Sequence, residues 1–203
     1  MTVLTKPYSH KILIAINVLI FVLQTAGWDY RIQGSLWQPE TPMYHIYQWL
    51  THMFLHDSVP HIMFNMWALG MFSVPLLHIW TERKFLLLYF VSGLIAAMVY
   101  LPFGSEQVML LGASGAVYGL LGAFAVCFPR APLALLLIPI SIPAKYFVAV
   151  IIAYEIFAQF SGISLFGTGI AHMAHVGGAV VGALFGLWWR HGILTGNAAD
   201  LRN

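Results

Sequence analysis

The sequence predicts an all-α membrane protein, a bundle of six transmembrane helices with both termini in the cytoplasm. Three observations predict it. Of 203 residues, 60% are hydrophobic and only 8% are charged, with a mean hydropathy of +0.82. A soluble domain carries about 25% charged residues, so this chain has too few to cover a water-facing surface. The apolar residues gather into six stretches, and the basic residues fall in alternate connections between them. Other classes drop out quickly. An aromatic content of 15% excludes disorder, and the single cysteine, Cys127, excludes a disulfide scaffold. A net charge of +2 without a basic cluster argues against nucleic acid as a partner.

The elements follow in order. Span one covers residues 12–26, preceded by Lys6 and Lys11. No small-residue cleavage site follows it, so it is expected to be an anchor and not a signal peptide. A loop over residues 28–58 comes next, rich in Trp28, Tyr30, Trp37, Tyr44, Tyr47 and Trp49. Loops longer than about 12–15 residues are uncommon unless functional, and such aromatics suit the headgroup level. Spans two and three cover 59–80 and 85–103, with Arg83 and Lys84 between them; span four covers 110–128. The apolar segment 131–142 is broken by Pro132, Pro139 and Pro143, and reads as a reentrant or interfacial piece or an early start to span five. Span five covers 146–160 and span six 168–189, with Arg130 and Lys145 before the former and Arg190 and Arg202 after the latter. Eight of the nine basic residues thus lie on one side and only Arg31 on the other, which places both termini in the cytoplasm. The expected organisation is one membrane domain over residues 1–203 with no separate soluble domain.

Polar groups inside an apolar span mark a functional site by default. Span two carries His61 and Asn65, span four Ser114 and Tyr118, span six His172 and His175. Each of these spans descends from the outside, so the polar groups share one depth. His175 lies about 10 Å below the start of its span at 1.5 Å per residue. Serine and histidine are the parts of a nucleophile and its general base. A second histidine and an amide supply donors for an oxyanion, and removing one such donor typically costs about 10²–10³ in kcat. His172 competes with His175 as base. His175 has Gly178 and Gly182 on its own face, directed at a packed interface, and is favoured. Span four carries Gly112, Gly115, Gly119 and Gly122; span six carries Ala174, Gly178, Gly182 and Gly186. Such stripes let helix backbones approach closely in lipid and would bring Ser114 and His175 together. No carboxylate lies at that depth on span four or six. Glu155 in span five is the only acid well within an apolar stretch, and a neutral hydrogen-bonded carboxyl is as good a reading of it as any role.

These residues resemble the rhomboid intramembrane serine proteases over nearly the whole chain. The family's GxSG is Gly112-Ala113-Ser114-Gly115, with Tyr118 four residues on; its HxxxN is His61 to Asn65; its AHxxGxxxG is Ala174-His175 with Gly178 and Gly182. The resemblance implies a rhomboid-like six-span fold in the inner (plasma) membrane of a bacterium, with the site opening to the extracytoplasmic side. It implies cleavage of transmembrane protein substrates within the bilayer, without cofactor or metal. Ser114 would be the nucleophile and His175 the base, a dyad with no third acid and the imidazole oriented by packing. His61, Asn65 and the N–H of Ser114 would form the oxyanion hole, Gly112 would admit the substrate backbone, and the Tyr118 ring would pack on His175. Span five or the segment 162–169, with Gly162, Gly167 and Gly169, would act as the gate. One departure stands out: Tyr47-Gln48 takes the place of a Trp-Arg pair in the first loop. His52 and His56 match loop histidines of the family and are expected to be structural.

Competing functions fit less well. Metalloproteolysis needs HExxH, but Met53 stands between His52 and His56 where the glutamate belongs. Aspartyl intramembrane proteolysis needs two embedded aspartates, and no Asp falls inside a span. A histidine-lined transporter or haem-binding protein leaves the GxSG and the glycine stripes unexplained. A catalytically inactive rhomboid-like binding or quality-control protein stays open as the alternative, though such proteins usually lose the serine or the histidine, and both are present.

Overall fold

The computed structural model describes residues 7–105, 109–134, 141–165 and 170–194. Among these residues six long helices follow one another: α1 (Ser9–Thr25), then α4 (Val59–Ile79), α5 (Glu82–Tyr100), α6 (Ser114–Cys127), α7 (Ala144–Ser161) and α8 (His172–Leu194). Between α1 and α4 the chain forms two single turns, α2 (Arg31–Gly34) and α3 (Gln48–Thr51). Among the described residues, three helices are long and apolar enough to cross a membrane by length and composition: α4, α5 with its extension to Phe103, and α7. α1 and α6 are shorter apolar helices.

Local chemistry sets the helix ends. Ser58 caps α4 by accepting the N–H of His61, with Pro60 in the first turn. Thr81 caps α5 by accepting the N–H of Lys84. α1 has no cap of its own; the Glu82 carboxylate accepts the N–H groups of Tyr8 and Ser9 at 2.8 and 3.0 Å. That bond ties the start of α1 to the start of α5. α7 begins directly after Pro143 and ends at Gly162, whose φ of +71° stops the helix.

The segment before α7 corrects one expectation. Its described ends do not start span five early but form a two-stranded antiparallel pairing, β1 (Pro132–Ala134) with β2 (Ser141–Pro143). Pro132 and Pro143 face each other in it, at strand ends where a missing N–H is tolerated. Pro139 lies outside the described residues, as do Gly167 and Gly169 of the suggested gate.

α6 is the central helix: ten of its fourteen residues are buried. In lipid the hydrophobic effect does not drive helices together, so close backbone contact has to. A Cβ added at Gly178 or Gly182 of α8 would lie 2.0 or 1.8 Å from the carbonyl oxygens of Gly115 and Gly119, and one at Gly122 would lie 2.1 Å from that of Ala179. The stripes therefore do interlock. α1 and α7 are peripheral. Ile12, Leu19 and Val22 on α1, and Val150, Phe157 and Phe160 on α7, are exposed apolar side chains suited to lipid.

The first loop has its own internal order. Gln48, fully buried, replaces the expected Trp-Arg anchor with a single amide. Its oxygen accepts from the N–H of His45 and Trp37, and its nitrogen donates to the carbonyls of Gln33 and Met43. Gln24 of α1 ties the loop's far end by bonding both backbone groups of His56.

His52 and His56 sit 3% and 1% exposed in this loop. Burial pushes His52 down to about 4. Burial, reinforced by the His61 ring 5.0 Å away and opposed in part by Asp57, pushes His56 to about 3. In the unfolded chain both protonate near the ordinary value of about 6.5. As pH falls below that value the unfolded state takes up protons first, so stability falls until the folded rings titrate too. For His52 the gap is worth about 3 kcal/mol. The melting temperature in detergent is expected to hold above roughly pH 7 and to drop between about pH 6.5 and 4. A flat profile across that window would contradict neutral burial of the two rings.

Candidate active site

The start of α6 is shaped by backbone before side chains. Residues 110–113 are not helical, so Ser114 is the first residue of α6 instead of lying a turn inside it, as the hydropathy suggested. Three bonds hold the preceding backbone: Leu110 and Leu36 exchange N–H···O bonds at 2.8 and 2.9 Å, and the Gly112 N–H donates to the His52 carbonyl at 2.8 Å. Gly112 adopts φ +122°, and a Cβ there would come within 2.8 Å of the His61 ring. Only glycine meets both demands. As the first helical residue, Ser114 has a backbone N–H without an intrahelical acceptor. At about 21 Å long, α6 is shorter than a hydrocarbon core of about 30 Å.

α8 supplies the partner. His175 Nε2 lies 3.0 Å from Ser114 Oγ. The Tyr118 ring, one turn along α6, stacks on the imidazole with centroids 4.2 Å apart and planes within 4°. Ser114, His175 and Tyr118 thus meet directly. His61 stands on the other side of Gly112, and its Nδ1 bonds Asp57 Oδ1 at 2.8 Å. A carboxylate only accepts, so that nitrogen carries a proton; Nε2 donates as well only in the doubly protonated ring. Asn65, one turn further down α4, is 6% exposed, and its Nδ2 has no partner among the described residues. A buried, unpaired donor is costly and leaves Asn65 Nδ2 free to bond an incoming acceptor. Among the described residues, neither His61 nor Asn65 hydrogen-bonds to Ser114 or His175.

The expectation of an imidazole oriented by packing alone does not hold. Glu155 of α7 accepts from His175 Nδ1 at 3.0 Å through Oε1 and from His172 Nδ1 at 2.5 Å through Oε2. Tyr118 donates its hydroxyl to Oε1 at 2.5 Å. The acid comes from a third helix, α7, and so is not visible in the sequence of spans four and six. The available signal was Glu155 itself, a lone acid in an apolar stretch. His172, the rival base, reaches Glu155 and not Ser114. The ligand-type atoms of Glu155, His172 and His175 lie within 4.8 Å of one another. In the structure the two rings bond the carboxylate directly, at 2.5 and 3.0 Å.

Fold and site together define an integral membrane protein of helices enclosing a hydrogen-bonded serine–histidine pair. The model of the Rhomboid domain family matches residues 44–191, and the chain belongs to the rhomboid family. It is similar to the rhomboid protease GlpG of Photorhabdus laumondii, 27% identical over 180 residues, which are 87% of this chain and 59% of that protein. The GlpG of Pectobacterium atrosepticum is 25% identical over 185 residues, 90% of this chain and 62% of that one. The presenilin-associated rhomboid-like protein A, mitochondrial, of Danio rerio is 34% identical over 140 residues, 67% of this chain and 34% of that protein. The chain therefore spans about three-fifths of the length of the GlpG relatives.

Proposed function

We propose that the chain is an intramembrane serine endopeptidase that cleaves transmembrane segments of membrane proteins near the outer face of the bilayer. The observation that carries this reading is the 3.0 Å contact between Ser114 Oγ and His175 Nε2. That distance is within the reach a general base needs. Ser114 attacks a peptide carbonyl while His175 takes its proton. The oxyanion is held by the Ser114 N–H and Asn65 Nδ2, joined by His61 Nε2 when that ring is doubly protonated, and Gly112 leaves room for the substrate backbone. The acyl-enzyme that results is hydrolysed by water from the outside. Two similar proteins carrying the name rhomboid protease GlpG support the same reading.

The accompanying membrane reading is one domain of six spans with both termini cytoplasmic, in a bacterial plasma membrane. It is supported by the basic residues and by contacts joining one end of the bundle. Glu82 binds the start of α1, Lys84 lies 5.8 Å over the Trp189 ring near the end of α8, and Arg190 donates to the Val126 carbonyl.

The test compares the two histidines. His175→Ala is expected to abolish fluorophosphonate labelling and cleavage, because the hydroxyl loses the nitrogen that takes its proton. His172→Ala is expected to leave labelling clearly measurable, because His172 does not reach Ser114. Equal loss in both, with both proteins folded, would sink the assignment of His175 as base.

A further inference from the structure

Glu155 is the residue that apolar patterning least allows, and it is 3% exposed on α7. Three donors converge on it from two other helices: Tyr118 of α6, and His172 and His175 of α8. An ionised carboxylate is acceptor-only and can take all three, whereas a protonated one would turn its own proton against one of them. A carboxylate at this depth is expensive unless so satisfied. The His175 ring is consequently held at both nitrogens, Nδ1 at 3.0 Å from Glu155 Oε1 and Nε2 at 3.0 Å from Ser114 Oγ. A proton on Nδ1, given to the carboxylate, leaves the Nε2 lone pair facing the hydroxyl. That is the tautomer a base requires.

We infer that Glu155 is the positioning carboxylate of His175, so that the reacting unit is a Ser–His–Glu relay assembled across α6, α8 and α7. The inference rests on the protease reading above. In acylation the Oγ–C bond forms, the carbonyl π pair moves to oxygen, and the hydroxyl proton passes to Nε2. The imidazolium keeps its Nδ1–H on Glu155, which stays ionised and opposes the new positive charge in a site poor in water. When the C–N bond breaks, the Nε2 proton goes to the leaving amine. Water then gives a proton to Nε2, bonds to the acyl carbon, and displaces Ser114 Oγ, which recovers its hydrogen. His172 and the Tyr118 hydroxyl hold the carboxylate in place, so α7 completes the base only while seated against α8.

The experiment uses the full chain in detergent and a fluorophosphonate as probe. Glu155→Gln keeps the shape but loses the charge and offers an N–H to one of the rings. It is expected to lower the maximal rate of Ser114 phosphonylation by the probe by about 10²–10⁴-fold, with the half-saturating probe concentration unchanged. Glu155→Asp, which restores the charge, is expected to recover part of that rate. A purely structural carboxylate would alter thermal stability without this split, and a folded Glu155→Gln protein labelled by the fluorophosphonate at a rate within threefold of wild type overturns the proposal. If Glu155→Gln does not fold, ¹⁵N-histidine NMR of the wild type decides. His175 in the Nδ1–H tautomer supports the relay, and the Nε2–H tautomer overturns it. Ser114→Ala separates the two readings: labelling that survives it removes the nucleophile assignment, while labelling that needs Ser114 but not Glu155 removes only the relay.

Discussion

Ser114→Ala is expected to remove fluorophosphonate labelling and peptide-bond cleavage completely while leaving the fold intact. The loss is large because the hydroxyl oxygen is the atom that would bond to the carbonyl carbon. In serine hydrolases, removing the nucleophile or its base alone costs about 10⁶-fold in kcat. The structural cost is small. Ser114 is partly exposed at the start of α6, and the bond its hydroxyl is seen to make is the one to His175. Losing one such neutral bond costs about 1 kcal/mol. His175 stays anchored through Glu155 and the Tyr118 ring. The check is labelling and cleavage alongside a thermal melt of both proteins. Wild type and Ser114→Ala labelling equally, at equal stability, would end the protease reading.

Gly182→Ala is expected to produce the largest structural effect of any single methyl group added at a described glycine. The new Cβ would sit 1.8 Å from the Gly119 carbonyl oxygen, a backbone atom in the most buried helix. No rotamer change relieves that contact; α8 must move off α6 by more than an ångström. Overpacking of this kind costs about 1–3 kcal/mol, and more where backbone has to shift. The displacement also separates the two residues proposed to react, because Ser114 is on α6 and His175 on α8. A misplacement of about 1 Å can cost about 10²-fold in rate. The expected outcome is a lower melting temperature together with labelling slowed by about 10²-fold or more. Gly70→Ala on α4 is the control: its Cβ would meet only Ile14 Cδ1, at 3.9 Å. If Gly182→Ala and Gly70→Ala melt alike, the interlocked backbone contact is not what holds α6 to α8.

How much was legible varied with the range of the interaction. Helix order followed from hydropathy, because each span must satisfy its own backbone bonds and fill its own length with apolar side chains. The pairing of α6 with α8 was legible too, since small residues at spacing four leave few alternatives for close approach. The start of α6 was not. Residues 110–113 are apolar enough to continue a span, but Gly112 is in the left-handed region and its N–H is bonded to His52. That choice depends on a loop some sixty residues earlier in the chain.

Glu155 marks the boundary most clearly. The sequence by itself determined that this chain lives in a bilayer, that Ser114 and His175 lie on helices able to touch, and that one acid sits where acids are costly. It did not determine which way that acid points. α7 is apolar around most of its circumference and is the least buried of the three long apolar helices, 17% against 39% and 44%. Its pattern therefore leaves the rotation about its axis open. Only the tertiary structure decided it, because the carboxylate is satisfied by donors 17, 20 and 37 residues away on two other helices. A buried charge takes its position from its partners, and those partners are adjacent to it only once the bundle has packed.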